Sequence, residues 1–127
     1  MKTLFHPLLL LSLLGGCATS HERICQHEGP ARIGELAYVN GPVVRVEHVI
    51  EDSRCPIEVQ CVRAGDVRIG ATVIHGDRST PVELTLGKPL QVADGRLTLL
   101  SVTPRPHRDQ SIAPDNYRFT FDFQGGL

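Results

Sequence analysis

The chemistry-bearing residues of this chain concentrate in one segment, Glu51-Asp52-Ser53-Arg54-Cys55-Pro56-Ile57-Glu58-Val59-Gln60-Cys61-Val62-Arg63-Ala64-Gly65. Cys55 and Cys61 stand close together across Pro56. In an exported chain cysteines this near each other pair. The bridge would close a small loop and stabilise the fold by roughly 2–3 kcal/mol. Three chemistries suit the segment. It is a structural staple, with Arg54 pairing to Asp52, Glu51 or a backbone carbonyl. It is a rigid recognition loop presenting Ser53, Arg54, Pro56 and Arg63, since a bridge and a proline lower the ordering cost of binding. Or it is a reactive dithiol, although redox pairs are more often Cys-x-x-Cys at a helix start. The spacing favours the first two, which are compatible with each other.

Catalytic signatures are missing. The chain contains no Gly-x-Ser-x-Gly, His-Glu-x-x-His, phosphate loop or dinucleotide fingerprint. Ser53 and Ser101 lack a local nucleophile context, and His48, His75 and His107 sit singly on separate segments. The expectation is a protein that is not an enzyme and needs no cofactor. With 13 basic and 14 acidic residues the chain offers no basic excess for nucleic acid.

The N-terminus has the layout of an export signal: Lys2, then an apolar run from Leu4 to Leu14. That run is shorter than the roughly 20 apolar residues a membrane-spanning helix needs. Leu14-Gly15-Gly16-Cys17 resembles the lipobox of bacterial lipoproteins, in which small residues precede a cysteine that is acylated on sulfur and becomes the new N-terminus. The resemblance implies cleavage after residue 16 and a lipid anchor on Cys17. Several acyl chains anchor a protein stably where one does not. Ala18 in the next position implies, by the same resemblance, sorting to the outer membrane, facing the periplasm.

Ala18 to Pro30 is polar apart from Ile24 and buries too little to order itself. Residues 17–33 therefore read as a lipidated, flexible tether. Cys25 is left over if Cys17 carries lipid and Cys55 pairs with Cys61. Together with His21 and His27 it offers thiolate and imidazole ligands suited to copper or zinc, one ligand short of a closed four-coordinate site. A metal-binding lipoprotein is the alternative reading of the tether.

From Gly34 the apolar period becomes two. Leu36 and Tyr38 open a short strand closed by Asn40-Gly41-Pro42, a tight-turn signal. Val43 to Ile50 is rich in β-branched residues, as a buried strand would be. Val67, Ile69, Ala71 and Val73 alternate with Arg68, Gly70, Thr72 and Ile74, which puts one face in a core. Gly76-Asp77 and Ala93-Asp94-Gly95 are turns between Val82-Leu84-Leu86, Leu90-Val92 and Arg96–Thr103. Pro104 to Pro114, with three prolines, reads as a long flexible surface loop. In the last strand Tyr117, Phe119, Phe121 and Phe123 share one face, an aromatic stripe that predicts core and a central strand. About seven short antiparallel strands and no helical period predict an all-β domain over 34–127, an immunoglobulin-like β-sandwich, although the chain has no tryptophan.

The segment Asp52-Ser53-Arg54-Cys55-Pro56, with Cys61 and Ala64-Gly65, resembles one found in small uncharacterised exported or lipid-anchored bacterial proteins. Leu86-Gly87-Lys88-Pro89, Val92-Ala93-Asp94-Gly95 and Phe121-Asp122-Phe123 extend the likeness over most of the mature domain. Many of those proteins carry an aromatic residue just before Ala-Gly, where this chain has Arg63. The resemblance implies a sandwich fold and an envelope location, and no activity. The sequence thus predicts an envelope lipoprotein held to the membrane by Cys17, whose non-catalytic domain binds a protein partner of the envelope or serves as a structural accessory. Inhibition of an envelope-targeting hydrolase is a further alternative for the stapled loop.

Overall fold

Strict alternation produces the strands that carry the core. In β3 (Val67–His75) the residues Val67, Ile69, Ala71 and Val73 are all buried, as the period-two pattern predicts. β3 pairs with β2 (Val43–Asp52) and β4 (Arg78–Thr85), and β1 (Leu36–Tyr38) pairs with the start of β2. A second sheet contains β5 (Leu90–Val92), β6 (Gly95–Thr103) and β7 (Arg118–Gly125). All pairings are antiparallel, giving a four-stranded and a three-stranded sheet around one apolar core. The computed structural model describes residues 29–125. The signal segment 1–16, Cys17, His21, Cys25 and His27 lie outside the described residues.

The expected all-β sandwich of seven short strands is the observed class. Its connectivity is simple. Within each sheet every strand neighbours the one before it in the chain, so the sandwich consists of two consecutive meanders. The sequence-predicted turns fall where expected: Asn40-Gly41 between β1 and β2, Gly76-Asp77 between His75 and Arg78, and Ala93-Asp94 between Val92 and Gly95.

β2 departs from plain alternation. Bulges fall between Val46 and His48 and between Val49 and Glu51. Each inserts one unpaired residue and changes which face follows. Opposite the inward series of β3, the β2 residues are Val44, Val46, Val49 and Asp52. His48 and Ile50, which unbroken alternation would bury, are instead exposed. The His48 ring lies over Gly70, where an added Cβ would come within 2.5 Å of it. The two bulges cancel, so Asp52 arrives at the end of the strand on the core side.

The aromatic stripe of β7 is core-facing: Phe119 is fully buried, Tyr117 is nearly so, and Phe121 and Phe123 pack against the core. β7 is not a central strand, however. The central strand of its sheet is β6. The inference from burial to centrality fails because the stripe's burial comes from the opposite sheet, not from strands on either side. The free flank of β7 is met by Ala31, whose N–H donates to the Phe119 carbonyl and whose carbonyl accepts from the Phe119 N–H, both at 2.9 Å. Three residues on, the Gly34 N–H donates to the Val46 carbonyl at 2.8 Å. Residues 31–34 therefore clasp one sheet to the other. Ala31 is fully buried and Ile33 packs on the core, so these two residues, placed by composition in the tether, pack with the sandwich.

The sandwich has two poles. The Asn40-Gly41 turn and the C-terminal end of β7 share one, where Gly41 approaches the Phe123 ring. Gly29 lies beside Tyr38–Asn40 and Phe121–Phe123, so residues 29–31 run alongside β7 on the side of that pole. The stapled loop after Asp52 and the connection from β6 to β7 form the other.

Candidate functional site: the stapled-loop pole

Asp52 and Arg54 organise this pole. The Arg54 guanidinium grips Asp52 with two parallel bonds, Nε to Oδ1 and Nη2 to Oδ2, each 2.8 Å. Its Nη1 also donates to the Val102 carbonyl at 2.6 Å, and its Nη2 to the Pro104 carbonyl at 2.9 Å. The Tyr117 hydroxyl donates to Asp52 Oδ2 at 2.9 Å. Both side chains of the ion pair are 11% exposed. A bidentate pair of this kind suits the planar guanidinium, and lysine could not reproduce it. The cluster ties the end of β2 to the end of β6 and the start of β7.

Ser53 closes the neck of the loop. Its N–H donates to the Asp66 carbonyl at 2.8 Å, and its hydroxyl accepts from the Asp66 N–H at 3.0 Å. The Cys55 N–H donates to the Ala64 carbonyl at 3.1 Å. Gly65 completes the neck at φ +70°, and a Cβ there would come within 1.8 Å of the Ser53 carbonyl oxygen. Only glycine fits such an approach. Beyond the neck, Cys55 and Cys61 are joined in a disulfide, as the sequence predicts.

The loop docks on its neighbour. The Ile57 N–H donates to the Pro106 carbonyl at 3.0 Å. Glu58 receives His107 Nδ1 on one oxygen and the Arg108 N–H on the other, the latter at 2.9 Å. The proline-rich connection read as a flexible loop is thus bonded over its first half, residues 104–108, to Arg54, Ile57 and Glu58, and it ends in one turn of 3-10 helix, Pro114–Asn116.

Of the four residues expected to face a partner, Ser53 is exposed but its hydroxyl is bonded to the Asp66 backbone, Arg54 spends its guanidinium inside the fold, and Pro56 is half-buried. Arg63 is exposed. The large apolar side chains left outward on this frame are Ile57, Val59 and Val62, the last fully exposed. Sequence reasoning passed over them because three aliphatic residues in a polar stretch read as loop filler. The alternation of Ile57 and Val59 with Glu58 and Gln60 was the available signal for the first two.

A surface depression of about 540 Å³ runs alongside the end of β2, floored by Ile33, Val49, Ile112, Pro114 and Tyr117. Its carboxylates are occupied: Glu47 by Arg45 and Thr72, Glu51 by Arg68, and Asp52 by Arg54. No cluster of three or more metal-ligating side chains occurs among the described residues.

The electrostatics follow from these bonds. Burial alone would raise the Asp52 carboxyl, but the bonds from Arg54 and Tyr117 outweigh it and hold the group below the ordinary value. Burial, then the bond to Asp52, pushes the Tyr117 phenol up to about 12. The Arg108 N–H first, and His107 second, lower Glu58 to about 2. A lowered carboxyl contributes stability that is complete above its unfolded value near pH 4 and disappears as pH falls through the folded value. A raised phenol contributes stability that is complete below about pH 10 and disappears as pH rises toward its folded value. Urea unfolding should therefore show a stability plateau bounded by an acid limb below about pH 4 and an alkaline limb starting near pH 10. Tyr117→Phe should flatten the alkaline limb and keep the acid one. An alkaline limb of undiminished size in that variant would refute the assignment.

No protein-family model, no curated protein and no solved structure matches this chain.

Proposed function

We propose that this protein is a lipid-anchored, non-catalytic binding module of a bacterial cell envelope, carried by lipid on Cys17 and recognising an envelope protein through its stapled loop. The observation that carries the binding reading is the exposure of Ile57, Val59 and Val62 on a loop fixed by a disulfide, a closed neck and a buried ion pair. An exposed apolar group on a mobile loop costs entropy to use, whereas one on a rigid frame is already ordered for contact. The carboxylates of the adjoining depression are committed to structural partners, which supports contact over catalysis. The anchor is supported by Leu14-Gly15-Gly16-Cys17 following an apolar run.

Two arms test the proposal in cells. Cys17→Ser should abolish acyl labelling and deplete the protein from the membrane fraction. An acylated, processed protein in that variant would refute the anchor. A photoreactive residue replacing Val62 should give a discrete cross-linked adduct that the same residue at Asp77, on the opposite pole, does not. Equal yields from both positions, or none from Val62, would refute the binding surface.

A further inference from the structure

The core face of the four-stranded sheet changes character near the turn between β3 and β4. The inward series of β3 is Val67, Ile69, Ala71 and Val73, and His75 is next in the same phase. Across the ladder Ala71 faces Val82, Val73 faces Thr80, and His75 faces Arg78. The last two rungs of a face that should be apolar therefore carry threonine, histidine and arginine. Polar residues in core-facing register weaken a sandwich and are kept where they serve a purpose. Here they border a cavity of about 300 Å³ between the two sheets, closed on its other side by the end of β5. Val73, Val82 and Val92 give the cavity an apolar wall, and Arg78, His75 and Thr80 give it donors at the end nearest the turn. No carboxylate lines it: Asp77 and Asp94, in the two adjoining turns, stand outside. Arg78 enters no ion pair among the described residues. Exposed arginines occur elsewhere on the surface, but this one borders an apolar wall inside a cavity.

From this arrangement we infer that the cavity binds a small aliphatic carboxylate, its chain laid on the valines and its head group held by Arg78. A guanidinium fork matches a carboxylate with two parallel bonds, and the His75 ring and Thr80 hydroxyl stand beside it as further donors. The volume lies at the lower end of the range for small-molecule sites, about 300–1,000 Å³, which suits a short chain. A peptide with a free C-terminal carboxylate shares this chemistry and fits less well. β4 is an edge strand carrying Pro81, so it offers a peptide backbone an interrupted row of donors. The cavity lies on the side of the Asn40-Gly41 turn, since Ile74 pairs with Val43. Its ligand is therefore independent of the stapled-loop surface proposed above.

The probe is hexanoate, titrated against the full chain in phosphatidylcholine nanodiscs and read by the methyl NMR signals of Val73, Val82 and Val92. These signals should shift saturably. Hexanoate should bind about tenfold or more tightly than hexan-1-ol, acetate or hexylammonium, since a hydrogen bond to a charged group is worth that much. Arg78→Gln should weaken hexanoate by a similar factor. Thr80→Glu should abolish its binding, because it sets a like charge beside the carboxylate. Both positions are exposed, and thermal melting of each variant confirms that it remains folded. Hexan-1-ol binding as tightly as hexanoate, or hexanoate binding unchanged in Arg78→Gln, would overturn the inference and leave only an apolar crevice. Shifts that rise without saturating would overturn it as mere partitioning. A short peptide ending in valine that outbinds hexanoate, and fails as its C-terminal amide, would assign the cavity to a polypeptide terminus and overturn the small ligand.

Discussion

Arg54→Ala is expected to destabilise the domain by about 3–5 kcal/mol, the usual cost of removing one partner from a buried ion pair. The loss is large because one side chain serves three places. Without it the Asp52 carboxylate keeps the Tyr117 hydroxyl and a long bond from the backbone N–H of residue 54, and the carbonyls of Val102 and Pro104 lose their donor. A group left half-buried without its partner carries its desolvation cost uncompensated. For a domain of this size the shift in melting temperature should exceed roughly 10 °C. Arg54→Lys should recover only part of it, because an ammonium cannot make two parallel bonds to Asp52 and also reach two carbonyls. Chemical denaturation of the three proteins checks the order. A variant Arg54→Ala within 1 kcal/mol of the parent, by the same order-of-magnitude reckoning, would mean that water replaces the guanidinium without cost.

The second large effect belongs to the bridge. Replacing Cys55 and Cys61 together with serine should lower stability by roughly 2–4 kcal/mol, since the loop it closes is short and the loss of unfolded-chain entropy grows with loop length. The neck bonds of Ser53 and Cys55 persist in the double variant, so the loop base should stay closed while its tip becomes mobile. Amide exchange should therefore accelerate at Ile57 to Gln60 and hardly change at Asp66. Uniform acceleration through β2 and β3 would show instead that the staple holds the sheet itself. Peptide mapping without reduction decides the pairing: a Cys25–Cys55 or Cys25–Cys61 linkage would contradict the bridge seen here.

How much of this was legible beforehand depended on the range of the cause. The alternation of β3, the aromatic face of β7 and the turns at Asn40-Gly41 and Gly76-Asp77 are local patterns, and a sequence carries them openly. The Cys55–Cys61 pair and the Arg54–Asp52 pair are also near neighbours in the chain. What escaped involves distance. Arg54 reaches Val102 and Pro104, and Glu58 fixes the connection before β7. No local signal announces either contact. The bulges of β2 were hidden for another reason. Val44, Val46, His48 and Ile50 alternate well enough to pass for an unbroken strand, and only the opposing residues of β3 show that Val49 takes the inward place. The start of β4, Arg78-Ser79-Thr80-Pro81, is exposed throughout and so shows no apolar period at all.

The clasp of Ala31 on Phe119 gives the domain a mechanical character. Hydrogen bonds between antiparallel strands stand perpendicular to them, and the chain at Ala31 runs antiparallel to β7. A pull on Gly29 toward the Asn40-Gly41 turn, opposed at the stapled-loop pole, therefore acts along β7. It loads the two Ala31–Phe119 bonds in shear, simultaneously, before any strand of either sheet is peeled. Tension would be met first by this small sacrificial joint, and the core beneath it would feel the load only after the joint had slipped.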